Sequence, residues 1–243
     1  MGMNIKQKAG EARNGIQKGI YCVIDPLVRL MIKCGVTPNV VTTIGLLGNI
    51  AAAVVLVWAA AEAPSAGSHV TYGRLILAGA LIIGFSLFDM LDGQVARIGG
   101  MVSRFGALYD SVLDRYCELF VLGGIVFYFL QVGSLASAVI TFLALIGSMM
   151  VSYVRARAEG VGIECKMGFM QRPERVVITS LAVLATGITG VSLTPESTFN
   201  PDIILMIAMI AIAVFANLTA FARIGFCHSV LSQESSNSPE EKK

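Results

Sequence analysis

Six long runs of apolar residues dominate the sequence and constrain its fold more than any other feature. They cover approximately residues 39–61, 73–97, 107–132, 135–156, 174–192 and 202–224. A helix that crosses the hydrocarbon core of a bilayer needs about 20 such residues. The chain is also 55% hydrophobic and 14% charged, which is too little charge to cover a soluble domain of this size. We therefore predict an all-α, polytopic membrane protein with six transmembrane helices.

Basic residues indicate which end of this bundle faces the cytoplasm. With six spans, both termini share one side of the membrane with two loops, residues 98–106 and 157–173. Nearly every Lys and Arg falls on or near that side, and Arg74 is the clear exception. Because cytoplasmic loops carry an excess of Lys and Arg, we expect the cell inner (cytoplasmic) membrane, with both termini and the adjoining loops at the cytoplasmic face.

The segments that flank the spans are more polar. Residues 1–36 form a predicted N-terminal cytoplasmic segment, in which apolar residues alternate with basic ones. This pattern is typical of an amphipathic helix that lies at the membrane interface, and Pro26 is expected to kink or break it. The membrane domain is predicted over residues 37–226, and residues 227–243 are predicted to be a polar, disordered tail.

Four aspartates lie at the predicted cytoplasmic end of the second and third spans. Asp89 and Asp92 are three residues apart, and Asp110 and Asp114 are four apart, so each pair lies on one face of its helix. If the two helices are antiparallel neighbours, the four carboxylates converge near the membrane surface. Ionisable residues in such a position are functional by default, although any one aspartate could simply pair with a nearby arginine.

Carboxylates that share one site need cations, because like charges repel strongly in a low dielectric. Oxygen ligands without Cys or His favour Mg²⁺, Mn²⁺ or Ca²⁺, and a pair of such ions is a common device for phosphoryl transfer. Gly93, Ala96 and Gly106 would leave room for a substrate, and Arg97 could bind its phosphate. A divalent-cation transporter is the alternative from a different class, because helix-borne carboxylates also line ion pathways.

The spacing of these residues resembles the signature of the CDP-alcohol phosphotransferases. The matching pattern is Asp89-x-x-Asp92-Gly93-x-x-Ala96-Arg97, then eight residues, then Gly106-x-x-x-Asp110-x-x-x-Asp114. The resemblance implies an integral membrane enzyme in which the four aspartates bind Mg²⁺, with two ions per subunit and Mn²⁺ able to replace them. It further implies that Asp114 is the general base and that the enzyme is a homodimer.

The same resemblance implies a binding site for CDP-diacylglycerol as the donor. The residues that it places around the CDP part of this lipid are Asn39, Val40, Val41, Thr42, Gly93, Arg97 and Ser103. The implied reaction is attack of an acceptor hydroxyl, deprotonated by Asp114, on the β-phosphorus of the donor. CMP is then the leaving group.

A cluster of basic residues points to the kind of acceptor. Its members are Arg115, Arg155, Lys166, Arg172 and Arg175. A phosphorylated acceptor would need such cations, since guanidinium groups bind phosphate well, whereas serine or free inositol would not. The alternative for the cluster as a whole is that it follows the cytoplasmic charge bias or binds anionic lipid headgroups.

Two short stretches, ARAEG and GFMQRPER, together with the Asp114–Arg115 pair, indicate by resemblance which acceptor is used. They look like the bacterial phosphatidylinositol phosphate synthases, which implies transfer of a phosphatidyl group to inositol phosphate. The expected partners are therefore CDP-diacylglycerol, inositol phosphate and membrane lipids, and no nucleic acid. The nearest alternative is a phosphatidylglycerophosphate synthase, whose acceptor is glycerol 3-phosphate.

Overall fold

The computed structural model describes residues 25–62, 68–165, 167–193 and 197–237, and these ranges contain helices and their connections but no strand. The helices in chain order are α1 (25–33), α2 (Pro38–Glu62), α3 (Ser68–Ile98), α4 (Arg104–Gln131), α5 (Leu135–Gly160), α6 (Arg172–Ser192) and α7 (Asp202–Asn237). The predicted all-α class is confirmed.

Five of these helices, α2, α3, α5, α6 and α7, are long and apolar enough to cross a membrane by length and composition. The remaining long helix, α4, has 28 residues, but Asp110, Asp114, Arg115 and Glu118 crowd its first half. Its second half is apolar, and Phe127 is exposed there. The six predicted spans therefore correspond to α2–α7, and α4 is the most polar of them because it carries two of the aspartates.

The six long helices pack in a closed ring, in which each has two principal neighbours. The order around the ring is α2, α3, α6, α7, α5 and α4, and buried side chains such as Leu56, Ile125 and Met209 fill its interior. The α4–α5 connection is a tight turn in which Gly133 has a φ of 79°, as the short linker predicts. The starts of α2, α4 and α6 and the ends of α3, α5 and α7 therefore lie together at one end of the bundle.

Glycine permits a close approach where α3 crosses α6. A Cβ atom at Gly79 would lie 2.9 Å from the Leu184 Cα atom, and one at Gly187 would lie 2.6 Å from the Ile76 backbone nitrogen. Helices in membranes associate through such small residues, because close backbone contact replaces the hydrophobic driving force that acts in water. This crossing fixes α6 against α3, and both helices contribute residues to the site described below.

Helix α1 packs beside the starts of the spans. Its Val28 is buried against Val41, Leu91 and Val95, while Leu27 and other side chains of α1 are exposed. The described helix begins at residue 25, so Pro26 lies in its first turn, where a proline is tolerated, and the expected kink or break stays a prediction. Residues 1–24, where the rest of the predicted interfacial helix falls, lie outside the described residues.

Helix α7 extends further than the sequence predicts. It continues to Asn237, so the part of the predicted disordered tail from residue 227 to 237 is helical. Neither Gly nor Pro interrupts the chain between Gly225 and Pro239, which allows the last span to continue as a helix. Residues 238–243 lie outside the described part of the chain.

We predict that Gly187→Ala lowers the stability of the protein by about 1–3 kcal/mol, because the added methyl group collides with the backbone of α3. Gly84→Ala on α3 is the matched control, since no atom lies within 4 Å of a Cβ there. Thermal unfolding of both variants in detergent measures the difference. Equal melting temperatures for the two variants would contradict the close crossing.

Candidate functional site

The aspartates predicted to form a site do meet, at the end of the ring where α3 ends and α4 begins. Asp89 and Asp92 lie one turn apart on α3, and Asp110 and Asp114 lie one turn apart on α4. Charges on the two helices interact across the gap between them. Asp92 is 6% exposed, and the side chains of Asp89 and Asp114 are 13% and 16% exposed. Little water remains to screen their mutual repulsion.

A single guanidinium group from the start of α6 lies between two of these carboxylates. Arg172 Nη2 donates to Asp89 Oδ2 at 2.7 Å, and Arg172 Nη1 lies 2.8 Å from Asp114 Oδ2. The sequence predicts that this residue binds the phosphate of the acceptor. That role stays a prediction, and the structure shows in addition that Arg172 joins the α3 and α4 halves of the aspartate cluster and supplies positive charge between them.

Helix α2 supports the cluster from the other side. Thr42 Oγ1 donates to Asp92 Oδ2 at 2.6 Å, and this hydrogen bond is buried. A Cβ atom at Gly45 would lie 3.1 Å from Asp89 Oδ1, so the glycine leaves this carboxylate space against the helix. The sequence placed Thr42 in the donor site, and the structure shows that it also orients an aspartate of the cluster.

The aspartate cluster fits a hard divalent cation in its chemistry, although it is not arranged around one. Among the residues described, no three His, Cys, Asp or Glu side chains are placed to hold a common ion, and the Arg172 guanidinium group lies between Asp89 and Asp114. The available donors are carboxylate oxygens, as Mg²⁺ and Mn²⁺ prefer. In addition, Asp114 Oδ1 is buried without a hydrogen-bond partner. The expected pair of ions stays a prediction.

A cleft of about 460 Å³ opens beside the cluster, between the start of α2, the end of α3 and the start of α4. Asp92 and Asp110 form part of its wall. The residues of the predicted donor site that line it are Asn39, Thr42, Gly93, Arg97 and Ser103. We call this space the donor cleft.

Two residues of the predicted donor site do not line the donor cleft. Val40 points outward and is 47% exposed, whereas Val41 is fully buried and packs against Leu91 and Val95. The reason is the helical geometry of α2, since Thr42 and Asn39 share a face that their two neighbours do not.

The donor cleft favours negatively charged ligands. Ser103 caps α4, and its Oγ accepts a hydrogen bond from the Gly106 backbone N–H at 2.9 Å. The unpaired N–H groups of a helix start attract phosphate. Arg97, whose Nε donates to the Gly93 carbonyl oxygen at 3.1 Å, adds a positive charge to the same cleft. Phosphate groups bound here would lie directly beside Asp92.

A second cavity of about 470 Å³ lies on the opposite side of the cluster. Asp110 lines both this cavity and the donor cleft. Asp114 lines this cavity but not the donor cleft. The arginines in its wall are Arg115, Arg155, Arg172, Arg175 and Arg223. We call it the basic cavity. The carboxylates thus separate a cleft suited to phosphates from a cavity rich in positive charge.

The most deeply buried of these arginines are held by the protein itself. Arg175 is 1% exposed, and its Nε and Nη2 donate to the two carboxylate oxygens of Glu118 at 2.6 and 2.8 Å. Arg223 is 2% exposed and donates to the backbone oxygens of Met167 and Val151. Both therefore fix helices and connections in place, in addition to facing the basic cavity.

The other basic residues of the predicted acceptor site are more accessible. The Arg155 side chain is 42% exposed and lies 2.9 Å from Glu159, and Arg115 bonds to Ser111 on its own helix. Lys166, the remaining member of the predicted cluster, lies outside the described residues. The structure thus brings four of the five predicted basic residues to one cavity.

Glu118 and Arg223 belong to this site, although the sequence analysis does not single them out. A signal for Glu118 exists, because it follows Asp114 by four residues and continues the same stripe along α4. Arg223 is an ionisable residue inside an apolar span, which by itself suggests a function. Their pairing partners could not be derived from spacing, since they lie on other helices and on the connection before α6.

The chain matches one protein family over most of its length. Residues 35–225 match the family model for CDP-alcohol phosphatidyltransferases. A phosphatidylinositol phosphate synthase from Mycobacteroides abscessus is 34% identical over 170 residues, which cover 70% of this chain and 71% of the relative. An archaetidylinositol phosphate synthase from Pyrococcus horikoshii is 37% identical over 167 residues, covering 67% of this chain and 78% of the relative.

Solved structures show the same fold. The phosphatidylinositol phosphate synthase of Mycobacterium tuberculosis with CDP-DAG bound has a TM-score of 0.68 and 28% identity, and the match covers 84% of this chain and 93% of that chain. Its complex with manganese and citrate has a TM-score of 0.69 at 28% identity, and the match covers 84% of this chain and 88% of that chain.

We predict that Glu118→Ala destabilises the protein by about 3–5 kcal/mol, because it leaves the Arg175 guanidinium group buried without its carboxylate partner. Glu159→Ala is the control. It breaks an Arg–Glu pair whose side chains are 42% and 49% exposed, and such pairs contribute about 0–1 kcal/mol. Denaturant unfolding in detergent micelles compares the free energies of unfolding of the two variants. Losses of similar size would show that the buried pair stabilises the protein no more than the exposed pair does.

Proposed function

The chain belongs to the CDP-alcohol phosphatidyltransferase family, and on this basis we propose that it transfers a phosphatidyl group from CDP-diacylglycerol to inositol phosphate. The products are phosphatidylinositol phosphate and CMP. The observation that carries the proposal is the position of the aspartate cluster, between a phosphate-favouring cleft and a basic cavity that share Asp110. A donor and an anionic acceptor bound on the two sides would meet at the carboxylates.

The donor binds in the cleft between α2, α3 and α4. Its two phosphates lie near Arg97 and the start of α4, where positive charge and free N–H groups favour them. Asn39, Gly93 and Ser103 surround the CDP part. The crystal structure of the relative with CDP-DAG bound supports this class of donor. Val41 acts through packing of α2, and the role expected of Val40 stays a prediction.

Asp89, Asp92, Asp110 and Asp114 are the residues that would hold Mg²⁺, as two ions per subunit, or Mn²⁺ in their place. Bound divalent ions would neutralise charge that develops on the phosphates during transfer. A relative with this fold has been crystallised with manganese, which supports a divalent metal. Thr42 keeps Asp92 oriented through its hydrogen bond.

Asp114 is the general base in this proposal. It lines the basic cavity, so its carboxylate faces the acceptor and takes the proton from the attacking hydroxyl. The oxygen of that hydroxyl forms a new bond to the β-phosphorus of the donor. The bond between this phosphorus and the oxygen that bridges it to the CMP phosphate breaks, and CMP leaves as the anion.

The basic cavity selects an acceptor that carries a phosphate. Arg115, Arg155 and Arg172 lie in its wall with side chains that can turn toward a ligand, while Arg175 and Arg223 add fixed positive charge. The arginines in the wall outnumber its carboxylates, which are Asp110, Asp114 and Glu159, so a phosphate on the acceptor would find positive charge to bind. The names of the M. abscessus and M. tuberculosis relatives support inositol phosphate as the acceptor. Lys166 is retained as a further candidate for binding the phosphate.

The distribution of basic residues supports a membrane orientation. The end of the bundle that carries the aspartates also carries the arginines of the basic cavity, and we place this end at the cytoplasmic face of the cell inner membrane. A homodimer is proposed on the family resemblance. A divalent-cation transporter is not retained, because the family to which the chain belongs consists of transferases.

The acceptor is tested by measuring CMP release from CDP-diacylglycerol by the full-length protein in lipid nanodiscs. Inositol phosphate, free inositol and glycerol 3-phosphate are compared side by side, with a metal-chelated sample as a control. We expect release with inositol phosphate and none after chelation. Release with glycerol 3-phosphate alone would overturn the inositol assignment and favour the phosphatidylglycerophosphate synthase.

We predict that Asp114→Asn lowers the rate of CMP release by about 100- to 10,000-fold, because it removes the proton acceptor. Asp202→Asn is the control. It changes the same residue type at the opposite end of the bundle, where Asp202 accepts a hydrogen bond from Tyr128 at 2.8 Å. Turnover per folded molecule measures both variants. An Asp114→Asn protein that retains wild-type turnover would exclude Asp114 as the base.

A further inference from the structure

The contacts of Arg172 are unusual for an arginine that faces a ligand cavity. Its guanidinium group bonds Asp89 and Asp114 at 2.7 and 2.8 Å, and the same residue lines the basic cavity. One positive charge therefore lies directly between two of the four carboxylates in the cluster. It supplies the positive charge that a cation shared by α3 and α4 would supply.

This ion pair is incompletely satisfied. Arg172 Nε and Asp114 Oδ1 are both buried and have no hydrogen-bond partner. By contrast, all three nitrogens of the Arg175 guanidinium group donate to protein oxygens, although the two arginines are one turn apart on α6. Buried polar groups without partners are rare and call for a cause. A divalent cation, which binds carboxylates more strongly, can therefore displace the guanidinium group from such a pair.

We infer that Arg172 is an internal counter-cation that exchanges with the divalent metal. Without metal, its guanidinium group neutralises Asp89 and Asp114. When the metal binds, the guanidinium group leaves the carboxylates and turns into the basic cavity, where it meets the phosphate of the acceptor. This role deepens the proposed function and rests on its metal site.

The frame around Arg172 lets the side chain move while the helix stays in place. Arg175 anchors the first turn of α6 to Glu118 on α4 and to the Met170 carbonyl oxygen, and Gly187 locks the helix further along against α3. The Arg172 side chain is 26% exposed, and the basic cavity offers it space. Exchange therefore requires new side-chain torsions of one residue.

A consequence is that the metal and the acceptor help each other to bind. Metal binding frees the guanidinium group for the phosphate, and a bound phosphate holds that group away from Asp89 and Asp114. Such coupling is reciprocal by thermodynamic necessity. Removing the Arg172 side chain should tighten metal binding and abolish the coupling at the same time. A purely structural role predicts neither effect.

The test is a calorimetric titration of the full-length protein in nanodiscs with Mn²⁺, in the absence of donor. We expect Arg172→Gln to bind Mn²⁺ about tenfold more tightly than the wild type, because the competing charge is gone. Arg157→Gln is the control, since it removes an exposed arginine of α5 that does not line the basic cavity. Its Mn²⁺ affinity should change by about twofold or less.

The second arm repeats the titration with saturating inositol phosphate. Mn²⁺ binding should tighten about three- to tenfold in the wild type and in Arg157→Gln, and stay unchanged in Arg172→Gln. If Arg172→Gln does not fold, Arg172→Lys is used, because one ammonium group cannot bridge both carboxylates as a guanidinium group does. It should still bind Mn²⁺ more tightly than the wild type, by a smaller factor.

Two results would overturn the inference. Mn²⁺ affinity in the tested Arg172 variant that equals or falls below the wild-type value would show that Arg172 does not compete with the metal. Persistent coupling to inositol phosphate in Arg172→Gln would show that the coupling runs through other residues. In both cases the proposed function would stand. A wild-type protein that binds no Mn²⁺ at all would overturn the proposed metal site together with this inference.

Discussion

Repulsion among four carboxylates at the end of an apolar bundle is the constraint on which the site depends. Asp92 is 6% exposed, and the neighbouring aspartates are only a little more accessible. At such depth like charges interact strongly, and the folded state tolerates them only beside compensating positive charge. The Arg172 guanidinium group supplies part of it. The arginines of the basic cavity and the proposed metal supply the rest.

The ring of helices converts this local constraint into a reaction site. Because consecutive spans run in opposite directions, the ends that carry aspartates and the ends that carry arginines fall at the same end of the bundle. The carboxylates then lie between two spaces of similar volume, and Asp110 borders both. A group transferred between ligands in these spaces has to pass the charged cluster, which is where phosphoryl transfer can be assisted.

Stability and chemistry are assigned to different residues at this site. Arg175 and Glu118 form a closed, buried pair, Arg223 ties α7 to α5 and to the connection before α6, and Gly187 holds α6 against α3. None of these needs to move during a reaction. Arg172 is different, because its contacts are incomplete and its side chain faces open space. A rigid frame around one movable charge is suited to exchange between cations.

The sequence by itself determined the class of the protein and the identity of its carboxylate cluster. Apolar runs of sufficient length specify helices in a membrane, and steps of three and four residues place Asp89 with Asp92 and Asp110 with Asp114 on common faces. These are local properties, so they can be derived without knowing how the helices pack. The helical extension of α7 to Asn237 shows that element ends are less predictable.

Only the tertiary structure decided what each arginine does. By sequence, Arg172 and Arg175 are equivalent members of one basic stretch, yet one bridges two aspartates and the other is enclosed by Glu118. Likewise, Val41 adjoins Thr42 but packs into the protein instead of the donor cleft. The physical reason is that a long charged side chain takes the partner offered by neighbouring helices, and which helices are neighbours is a property of the packed ring.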